Sequence, residues 1–304
     1  MSHPAADQVA SGFIAVVGRP NAGKSTLVNA LVGVKVAITS DTPQTTRHRL
    51  RAVLDLEDAQ VVLVDTPGLH KPIDALGEQV NRSGILALAD VDAVAWCVDA
   101  TAPVGRGDAW IAERLQHTRS PVILVITKAD AADADTVDRQ LARARTLVTP
   151  VAEIVVSART GYNLEALVQA MVAQLPPGPR FFPRDMTTDQ PLEVMIAELV
   201  REKVLRKTRD EVPHAVGVAL DELEYDEDRD FHTIRCTIYV ERESQKGIII
   251  GKGGEMIKAI GTEARADVER LLGTDVHLDL RVKVRKDWRR DSAQIRRFGY
   301  GEGL

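Results

Sequence analysis

The sequence predicts an α/β fold in two parts, a first domain with a mostly parallel sheet and helices on both faces, and a smaller α+β domain after it. Three observations predict this arrangement. Residues 13–31, FIAVVGRPNAGKSTLVNAL, place a glycine-rich loop between a buried strand and a helix. Strands and helices then alternate as far as residue 175, which is typical of a parallel sheet. The prolines of 176–183 break this pattern, and a second strand-rich segment with its own glycine-rich loop follows.

The composition is that of an ordinary globular protein that is long enough for two domains. Its 304 residues are 44% hydrophobic and 27% charged, and the apolar runs are shorter than a membrane-spanning helix requires. Residues 1–12, MSHPAADQVASG, lack the features of a signal peptide, so we expect a flexible leader and a cytoplasmic protein. Cys97 and Cys236 each lie in an apolar run, which favours buried thiols over a disulfide or a metal pair. The seven histidines show no ligand spacing, so no zinc site is expected.

The charge is unevenly distributed along the chain. The net charge of −5 argues against a protein that binds nucleic acid by bulk charge alone. Residues 221–230, DELEYDEDRD, hold seven acids and one base, whereas residues 281–290, RVKVRKDWRR, hold six bases and one acid. A local basic face is therefore expected in an acidic protein.

The loop at 18–25, GRPNAGKS, fits the pattern G-x-x-x-x-G-K-[ST], which cradles phosphates with backbone N–H groups. Lys24 is expected to reach the β- and γ-phosphates of a nucleotide, and the Ser25 hydroxyl to ligate Mg²⁺. A chance match is the alternative, and its position between a strand and a helix argues against it. The expected nucleotide contacts here are Gly18, Arg19, Pro20, Asn21, Ala22, Gly23, Lys24, Ser25 and Thr26.

A second cluster of expected contacts follows the strand predicted at 60–65. Asp65 would hold Mg²⁺ through water, and the Gly68 amide would meet the γ-phosphate, with Thr66 and Pro67 lining the nucleotide. Of the neighbouring pair Thr45 and Thr46, we favour Thr46 as a second hydroxyl ligand of the metal. Asp-Thr-Pro-Gly is also an ordinary turn sequence, and only its distance from the phosphate loop favours the metal site.

The base is expected to be guanine because of an aspartate that follows the strand predicted at 122–127. The Asp130 carboxylate can accept hydrogen bonds from the N1–H and the exocyclic amine of guanine, and adenine has no N1 donor. The alternative is an aspartate that caps the next helix. The remaining contacts expected at the base are Thr127, Lys128, Ser157, Ala158 and Arg159.

The order of these motifs, GRPNAGKS, TTRHR, DTPG, TKAD and SAR, resembles the five sequence boxes of translation-factor-class GTPases. The resemblance implies a P-loop GTPase domain that hydrolyses GTP to GDP with Mg²⁺, with Lys24, Thr46 and Gly68 as catalytic residues. Two positions depart from the pattern. Thr127 replaces the usual asparagine, and its hydroxyl is expected to be too short to bridge as an amide does, which would loosen guanine binding. Leu69 replaces the glutamine that orients water in Ras-type enzymes, so a K⁺ ion held by Asn21 and the loop at 33–44 is expected to stabilise the transition state.

The second part of the chain is expected to form its own domain. We assign residues 13–175 to the first domain, 176–190 to a stiff linker and 191–304 to the second domain. Its hydrophobic pattern predicts a helix, a hairpin of two strands, a short helix, a longer helix and a final strand, at 191–207, 212–223 with 231–240, 245–250, 257–271 and 276–284.

This order, with GKGG before the longer helix, resembles a type II KH domain, whose G-x-x-G loop clamps the backbone of single-stranded RNA. Taken alone, the four-residue loop is better explained as a plain turn, and the basic stretch 283–297 as a solvated helix face. Within the flanking pattern we expect bases along the isoleucines and phosphates on the basic strand. The RNA contacts expected are Lys246, Ile248, Ile249, Ile250, Gly251, Lys252, Gly253, Gly254, Lys283, Arg285 and Arg289.

Together, TTRHR and VERESQKGIIIGKGGEMIKAIGTEAR resemble the Era family of bacterial ribosome-assembly GTPases, over residues 13–300. The resemblance implies binding to the 3′ end of 16S rRNA, assistance in 30S subunit maturation and weak peripheral contact with the membrane. We expect a monomer that does not bind DNA. Two alternatives stay open: a tRNA-modifying GTPase, which shares DTPG and the potassium features, and a nucleic-acid-binding protein whose nucleotide pocket is only structural.

Overall fold

The computed structural model of the chain describes residues 8–42, 45–47, 50–66, 88, 90–298 and 300. The predicted contacts Pro67 and Gly68, together with Leu69 and most of the helix predicted at 76–90, lie outside these residues. Two compact units form within the chain. The first contains Met1–Ala37, Thr46–Ile73 and Gly77–Asp189, and the second contains Ile38–Thr45, Asp74–Leu76 and Gln190–Leu304.

A twisted sheet forms the centre of the first unit, in the order β2-β3-β1-β4-β5-β6, with β7 paired to β1. β2 and β7 are antiparallel to their neighbours, and the other pairs are parallel. This confirms the mostly parallel sheet. The strands are β1 Val9–Gly18, β2 Leu50–Asp55, β3 Ala59–Asp65, β4 Ala93–Asp99, β5 Val122–Thr127, β6 Ala152–Val155 and β7 Pro177–Gly178.

Helices cover both faces of this sheet, because alternate residues of the buried strands are apolar on each side. Ile14 and Val16 face a core that includes α1 and α4, whereas Ala15 and Val17 face a core that includes α2 and α3. The described helices of the unit are α1 Lys24–Val32, α2 Arg106–Leu115, α3 Ala134–Arg145 and α4 Leu164–Val172. The carboxyl ends of β1, β3, β4 and β5 therefore bring the predicted nucleotide motifs to one edge of the sheet.

Two expectations about the ends of this unit are wrong. The leader predicted at 1–12 is too long, since β1 already begins at Val9 and pairs with β3 and β7. The stretch 176–190, predicted as a stiff linker, is instead part of the first unit as far as Asp189, and its polar groups bind that unit. Arg180 pairs with Asp55, and Thr188 donates its hydroxyl to the carbonyl of Arg51 at 2.8 Å.

The second unit is a three-stranded sheet, β10-β9-β8, with helices packed on a shared apolar core. β8 is antiparallel to β9, and β10 is parallel to it, which is the strand arrangement of the predicted type II KH domain. Its elements are α5 Leu192–Lys207, α6 Val212–Ala215, β8 Gly217–Asp226, β9 Phe231–Val240, α7 Glu243–Ile250, α8 Glu255–Leu272, β10 Asp275–Val284 and α9 Ser292–Arg297.

Sequence periodicity misassigned one stretch of this unit. The strand predicted at 212–223 begins only at Gly217, because Val212–Ala215 forms a short helix with a proline in its first turn. The hairpin itself is confirmed. Both cysteines are buried and unoxidised, as predicted, and burial raises the pKa of each thiol to about 12. Within the described ranges, no helix is long and apolar enough to cross a membrane.

Candidate nucleotide site and nucleic-acid interface

The phosphate loop follows β1 and takes a shape that suits few side chains. Asn21 and Gly23 both have positive φ angles, 62° and 81°, and Gly23 caps the N-terminus of α1. At Gly18 a Cβ atom would lie 2.5 Å from the carbonyl oxygen of Cys97, so only glycine fits against β4. The loop therefore presents its backbone at the start of a helix, where N–H groups and the helix dipole favour an anion.

The Lys24 side chain is buried under this loop. Its ammonium donates to the carbonyl oxygens of Gly18 at 3.2 Å and Arg19 at 2.9 Å. Burial lowers the pKa of Lys24, and the Asp65 carboxylate acts in the opposite direction. A buried cation at the centre of the loop provides the positive charge that a phosphate needs.

The three predicted magnesium residues are brought together. The Ser25 hydroxyl donates to Oδ2 of Asp65 at 2.7 Å and lies 2.9 Å from the hydroxyl oxygen of Thr46. Neighbouring ligands of an octahedral Mg²⁺ at about 2.1 Å from the metal are about 3 Å apart, which matches the separation of the two hydroxyls. Thr45, the alternative to Thr46, instead donates its hydroxyl to the carbonyl of Thr42.

The Asp65 carboxyl supplies an independent indication that the site holds a cation. The residue is fully buried, and its Oδ1 has no hydrogen-bond partner among the described residues. Burial raises the pKa of Asp65 to about 6, although Lys24 and hydrogen bonds from Ser25 and Thr46 lower it. A divalent cation would satisfy the orphaned oxygen and favour the ionised carboxylate. These residues fit Mg²⁺, which would neutralise charge on the nucleotide phosphates.

The Thr127 hydroxyl forms a hydrogen bond that the sequence analysis did not expect. This buried hydroxyl donates to the carbonyl oxygen of Ala22 in the phosphate loop at 2.8 Å, with the carbonyl of Val98 at 3.2 Å. The prediction that the hydroxyl is too short to bridge is therefore wrong, since Thr127 lies at the end of β5, directly beside the loop. The end of β5 is therefore tied to the phosphate loop.

The other base-side residues form two linked pairs. Lys128 has a positive φ of 58°, and its ammonium contacts Asp99 Oδ2 at 2.7 Å. Asp130 is exposed, and its Oδ1 accepts a hydrogen bond from the buried Ser157 hydroxyl at 2.6 Å. Ser157 thus orients the carboxylate that we assign to guanine. Sequence reasoning missed Asp99, although an aspartate that ends a buried strand was the available signal.

The Arg19 side chain contacts α2 of the protein itself. Its guanidinium lies 3.1 Å from the buried Asp108 carboxylate, and the stem packs against Gly107, where a Cβ atom would be 2.8 Å from Arg19 Cδ. Burial raises the pKa of Asp108, whereas the Gly105 amide and Arg19 lower it. The side chain therefore anchors the loop to α2. Ala22 and Thr66 are buried, Ala158 is half-buried and Arg159 is exposed.

The predicted RNA loop of the second unit lies at the surface. Lys252 and Gly253 are exposed, and Gly251, Gly253 and Gly254 have φ angles of 74°, 60° and 82°. A Cβ atom on Gly251 would be 2.7 Å from Met256 Cβ, whereas Gly253 and Gly254 have open space around the same position. The loop can therefore take a sugar–phosphate backbone close to its own backbone.

The residues predicted to contact RNA beside this loop differ in how exposed their side chains are to solvent. Ile248 is half exposed, but Ile249 is fully buried in the core of the unit, so the prediction that Ile249 contacts bases is wrong. A helix turns successive residues by about 100°, and only one of the neighbouring isoleucines can face outward. Lys246 and Ile250 are half-buried, Lys283 and Arg285 are exposed, and Arg289 is held by Glu241 at 2.8 Å.

A groove between α8 and β10 was missed from the sequence. It has a volume of about 400 Å³, and its lining combines isoleucine and leucine side chains with the two cations Lys258 and Arg265. Such a lining suits a single strand, with bases against the apolar side chains and phosphates near the cations. Gly261, a glycine inside a helix, was the available signal. The lining residues are Ile257, Lys258, Gly261, Thr262, Arg265, His277, Leu278 and Leu280.

Comparison with known proteins matches a family to each of the two parts of the chain. Residues 13–128 match the family described as 50S ribosome-binding GTPase, and residues 211–289 match the KH domain family. The GTPase Era of Mycobacterium sp. (strain KMS) is 48% identical over 294 residues, which is 95% of this chain and 98% of the relative. The GTPase Era of Mycolicibacterium smegmatis is 49% identical with the same coverage.

Two solved structures extend the similarity to the whole fold. A crystal structure of Era in complex with MgGDPNP and nucleotides 1506–1542 of 16S ribosomal RNA has a TM-score of 0.92 at 38% identity, covering 96% of this chain and 99% of that one. An Aquifex aeolicus Era variant bound to GDP·AlF4⁻ has a TM-score of 0.90 at 38% identity, covering 96% and 100%. With a guanine-nucleotide site, a magnesium pocket and an exposed KH loop in one polypeptide, the chain belongs to the Era family of GTPases.

Proposed function

We propose that this GTPase binds the 3′-terminal region of 16S rRNA through its KH domain and assists maturation of the 30S subunit. The observation that carries the proposal is the exposed loop at 251–254, where Gly251, Gly253 and Gly254 have positive φ angles and the space around Gly253 and Gly254 is open. A similar protein has been crystallised with nucleotides 1506–1542 of 16S rRNA, which makes that RNA the first ligand to test.

The experiment measures binding of the full chain to an oligonucleotide with the 3′-terminal sequence of 16S rRNA. Lys252→Glu reverses a charge in the exposed loop, so we expect weaker binding and a salt dependence that is shallower by about 0.7 per lost phosphate contact. Arg229→Glu is a matched control, since it reverses the charge of an exposed cation on the hairpin turn of the same unit. Equal loss in the two variants would contradict the assignment.

The proposed use of K⁺ rests on Asn21 and the loop at 33–44. Asn21 lies in the phosphate loop, is exposed and has a positive φ angle of 62°. A monovalent cation there would stabilise negative charge on the phosphates during hydrolysis. Multiple-turnover phosphate release is expected to be faster in saturating K⁺ than in Na⁺, with Asn21→Ala removing the difference. Identical rates in the two salts would refute the proposal.

The nucleotide is further proposed to control access of RNA to the KH domain. Thr46 contacts the magnesium pocket directly, and a γ-phosphate would add a ligand that orders this residue and Gly68. RNA affinity is expected to differ between the complexes with GDP and with a non-hydrolysable GTP analogue. Equal affinity in the two states would eliminate the coupling.

We also propose that the protein is cytoplasmic and monomeric, contacts the membrane weakly at its periphery and does not bind DNA. Cosedimentation with anionic vesicles tests the membrane contact, and sedimentation velocity tests the monomer. A DNA oligonucleotide of the same sequence serves as the competitor in the RNA titration. Binding that DNA displaces as well as RNA does would contradict a preference for RNA.

A further inference from the structure

The carboxylate of Asp99 is almost buried at the edge of the sheet where the nucleotide motifs meet. Asp99 ends β4, which lies between β1 and β5, the strands that lead into the phosphate loop and into Lys128. Its side chain is 11% exposed, so little water remains to solvate the charge. A buried carboxylate costs free energy unless partners compensate it, so the contacts of Asp99 indicate what it does.

Both oxygens of this carboxylate have partners. Oδ1 accepts the Thr101 N–H at 2.8 Å and the Thr101 hydroxyl at 2.6 Å, and Oδ2 accepts the Lys128 ammonium at 2.7 Å. Burial raises the pKa of Asp99, but the hydrogen bonds from Lys128 and Thr101 outweigh this effect and keep the pKa below its ordinary value. The carboxylate is therefore ionised at neutral pH. One oxygen fixes its position, and the other holds the lysine.

The segment that follows Asp99 is also tied to the helices of the first unit. The Val104 N–H donates to the side-chain oxygen of the buried Gln140 on α3 at 2.9 Å. The Gly105 N–H donates to Oδ2 of Asp108 on α2, also at 2.9 Å. Asp99 is therefore a fixed point of the unit and not part of a free loop.

Lys128 has a backbone conformation that its surroundings must enforce. Its φ of 58° lies in the left-handed region, which is unfavourable for a residue with a Cβ atom. The Lys128 carbonyl accepts the Ala131 N–H at 3.0 Å, and the Ala129 N–H donates to the Val156 carbonyl at 3.1 Å. From this turn the side chain passes the phosphate loop, since a Cβ atom on Gly23 would lie 3.7 Å from Lys128 Cε.

The place of the Lys128 stem matters because it lies between two parts of the nucleotide site. Gly23 belongs to the phosphate loop, and Asp130, the carboxylate that we assign to guanine, follows Lys128 by two residues. A nucleotide joins its base to its phosphates through a ribose, so a nucleotide held at both places must cross this stem. Because Asp99 neutralises the ammonium, Lys128 presents its methylene groups to the ligand more than a free charge. The cation for the phosphates is Lys24.

We propose that Asp99 is a positioning residue for guanine-nucleotide binding, which holds the Lys128 ammonium so that the lysine stem packs against the nucleotide between the phosphate loop and Asp130. The flexible stem of a lysine loses rotamer freedom when a ligand packs against it. Asp99 restricts these rotamers before the nucleotide binds, so less entropy is lost on binding. The inference concerns the nucleotide site alone and is independent of the RNA that the second unit binds.

The test is a double-mutant cycle in the full chain, with affinity measured by titration with a fluorescent GDP analogue. Asn at position 99 keeps the shape but leaves one neutral oxygen, which cannot serve both Thr101 and Lys128. Asp99→Asn and Lys128→Met should each weaken GDP binding about tenfold. The double variant should be within about twofold of the weaker single variant, because Asp99 acts through Lys128. Wild-type affinity in Asp99→Asn, or losses that multiply to about a hundredfold, would overturn the proposal.

Asp55→Asn is the matched control for a general loss of stability. Asp55 ends β2, its side chain is 15% exposed, and it accepts hydrogen bonds from Gln60 at 2.9 Å and Arg180 at 3.0 Å. It pairs with Gln60 near the start of β3, at the opposite edge of the sheet from Asp65. The control should lose stability in denaturant titrations and bind GDP like the wild type. An equal loss of GDP affinity in Asp55→Asn and Asp99→Asn would contradict the assigned role.

A further variant keeps the test decisive if Asp99→Asn does not fold. Thr101 is exposed, and Thr101→Val removes only the hydroxyl that helps to fix the Asp99 carboxylate. We expect about a threefold loss of GDP affinity in the wild-type background and no further loss in Lys128→Met. Wild-type affinity in Thr101→Val, or the same threefold loss in both backgrounds, would show that Asp99 does not act through the lysine.

Discussion

The replacement of Thr127 by valine tests whether the threonine joins the base-selecting strand to the phosphate loop. Valine has nearly the same shape, and the residue is 3% exposed, so the change removes the hydroxyl and little else. The carbonyl of Ala22 then loses a donor at 2.8 Å. A buried carbonyl without its hydrogen bond costs about 1–3 kcal/mol. Because the loop is then less ordered before binding, affinity for guanine nucleotides should fall about tenfold.

The assay is titration with a fluorescent GDP analogue, beside denaturant unfolding of the nucleotide-free protein. Ser11→Ala is a matched control, because the buried Ser11 hydroxyl also donates to a backbone carbonyl, that of Pro179, at 2.7 Å. Ser11 lies near the start of β1, the opposite end from the phosphate loop. The control should lose a similar amount of stability and no nucleotide affinity. Wild-type affinity in Thr127→Val would refute the reasoning.

Three other outcomes are expected. Lys24→Ala should abolish multiple-turnover phosphate release, because the buried ammonium at the centre of the loop is lost; turnover in this variant would contradict its assigned role. Gly251→Ala should lower the unfolding free energy by about 1–3 kcal/mol in denaturant titrations, since its Cβ would lie 2.7 Å from Met256 Cβ at a φ of 74°. Because burial raises both thiol pKa values to about 12, a thiol reagent should label Cys97 and Cys236 only after denaturation.

The nucleotide site could be predicted from the sequence because its determinants are local. A phosphate loop needs its glycines, lysine and serine at fixed spacing, and strand ends place Asp65 and Asp130 at one edge of a parallel sheet. The same holds for the KH loop, where three positive φ angles coincide with glycines. Each motif is a short contiguous stretch between a strand and a helix, so the spacing of its residues along the chain is enough to predict it.

Side-chain pairing between distant segments could not be predicted in the same way. The hydroxyl of Thr127 reaches a carbonyl 105 residues earlier, and Arg180 binds Asp55 from a stretch whose prolines are typical of a linker. The composition of a segment describes how that segment behaves in isolation. It does not show that the polar groups of this segment form hydrogen bonds with an edge of the first unit. The prediction that Ile249 contacts bases was wrong for a related reason. The sequence of three consecutive isoleucines does not show which of them faces the core.

Helix α5 shows how a departure from pattern can itself be informative. Its apolar residues Ile196, Val200 and Val204 follow helical spacing and predict one buried face correctly. Glu198, Arg201 and Glu202 do not fit that face, and sequence periodicity alone would assign them to solvent. A helix that buries charges sacrifices stability unless those charges bind something that an apolar side chain cannot hold. Here they hold backbone N–H and C=O groups of Thr39 and Thr45, which leucine or valine could not do. The charges of this helix are therefore better explained by the segment they position than by the stability of the KH core.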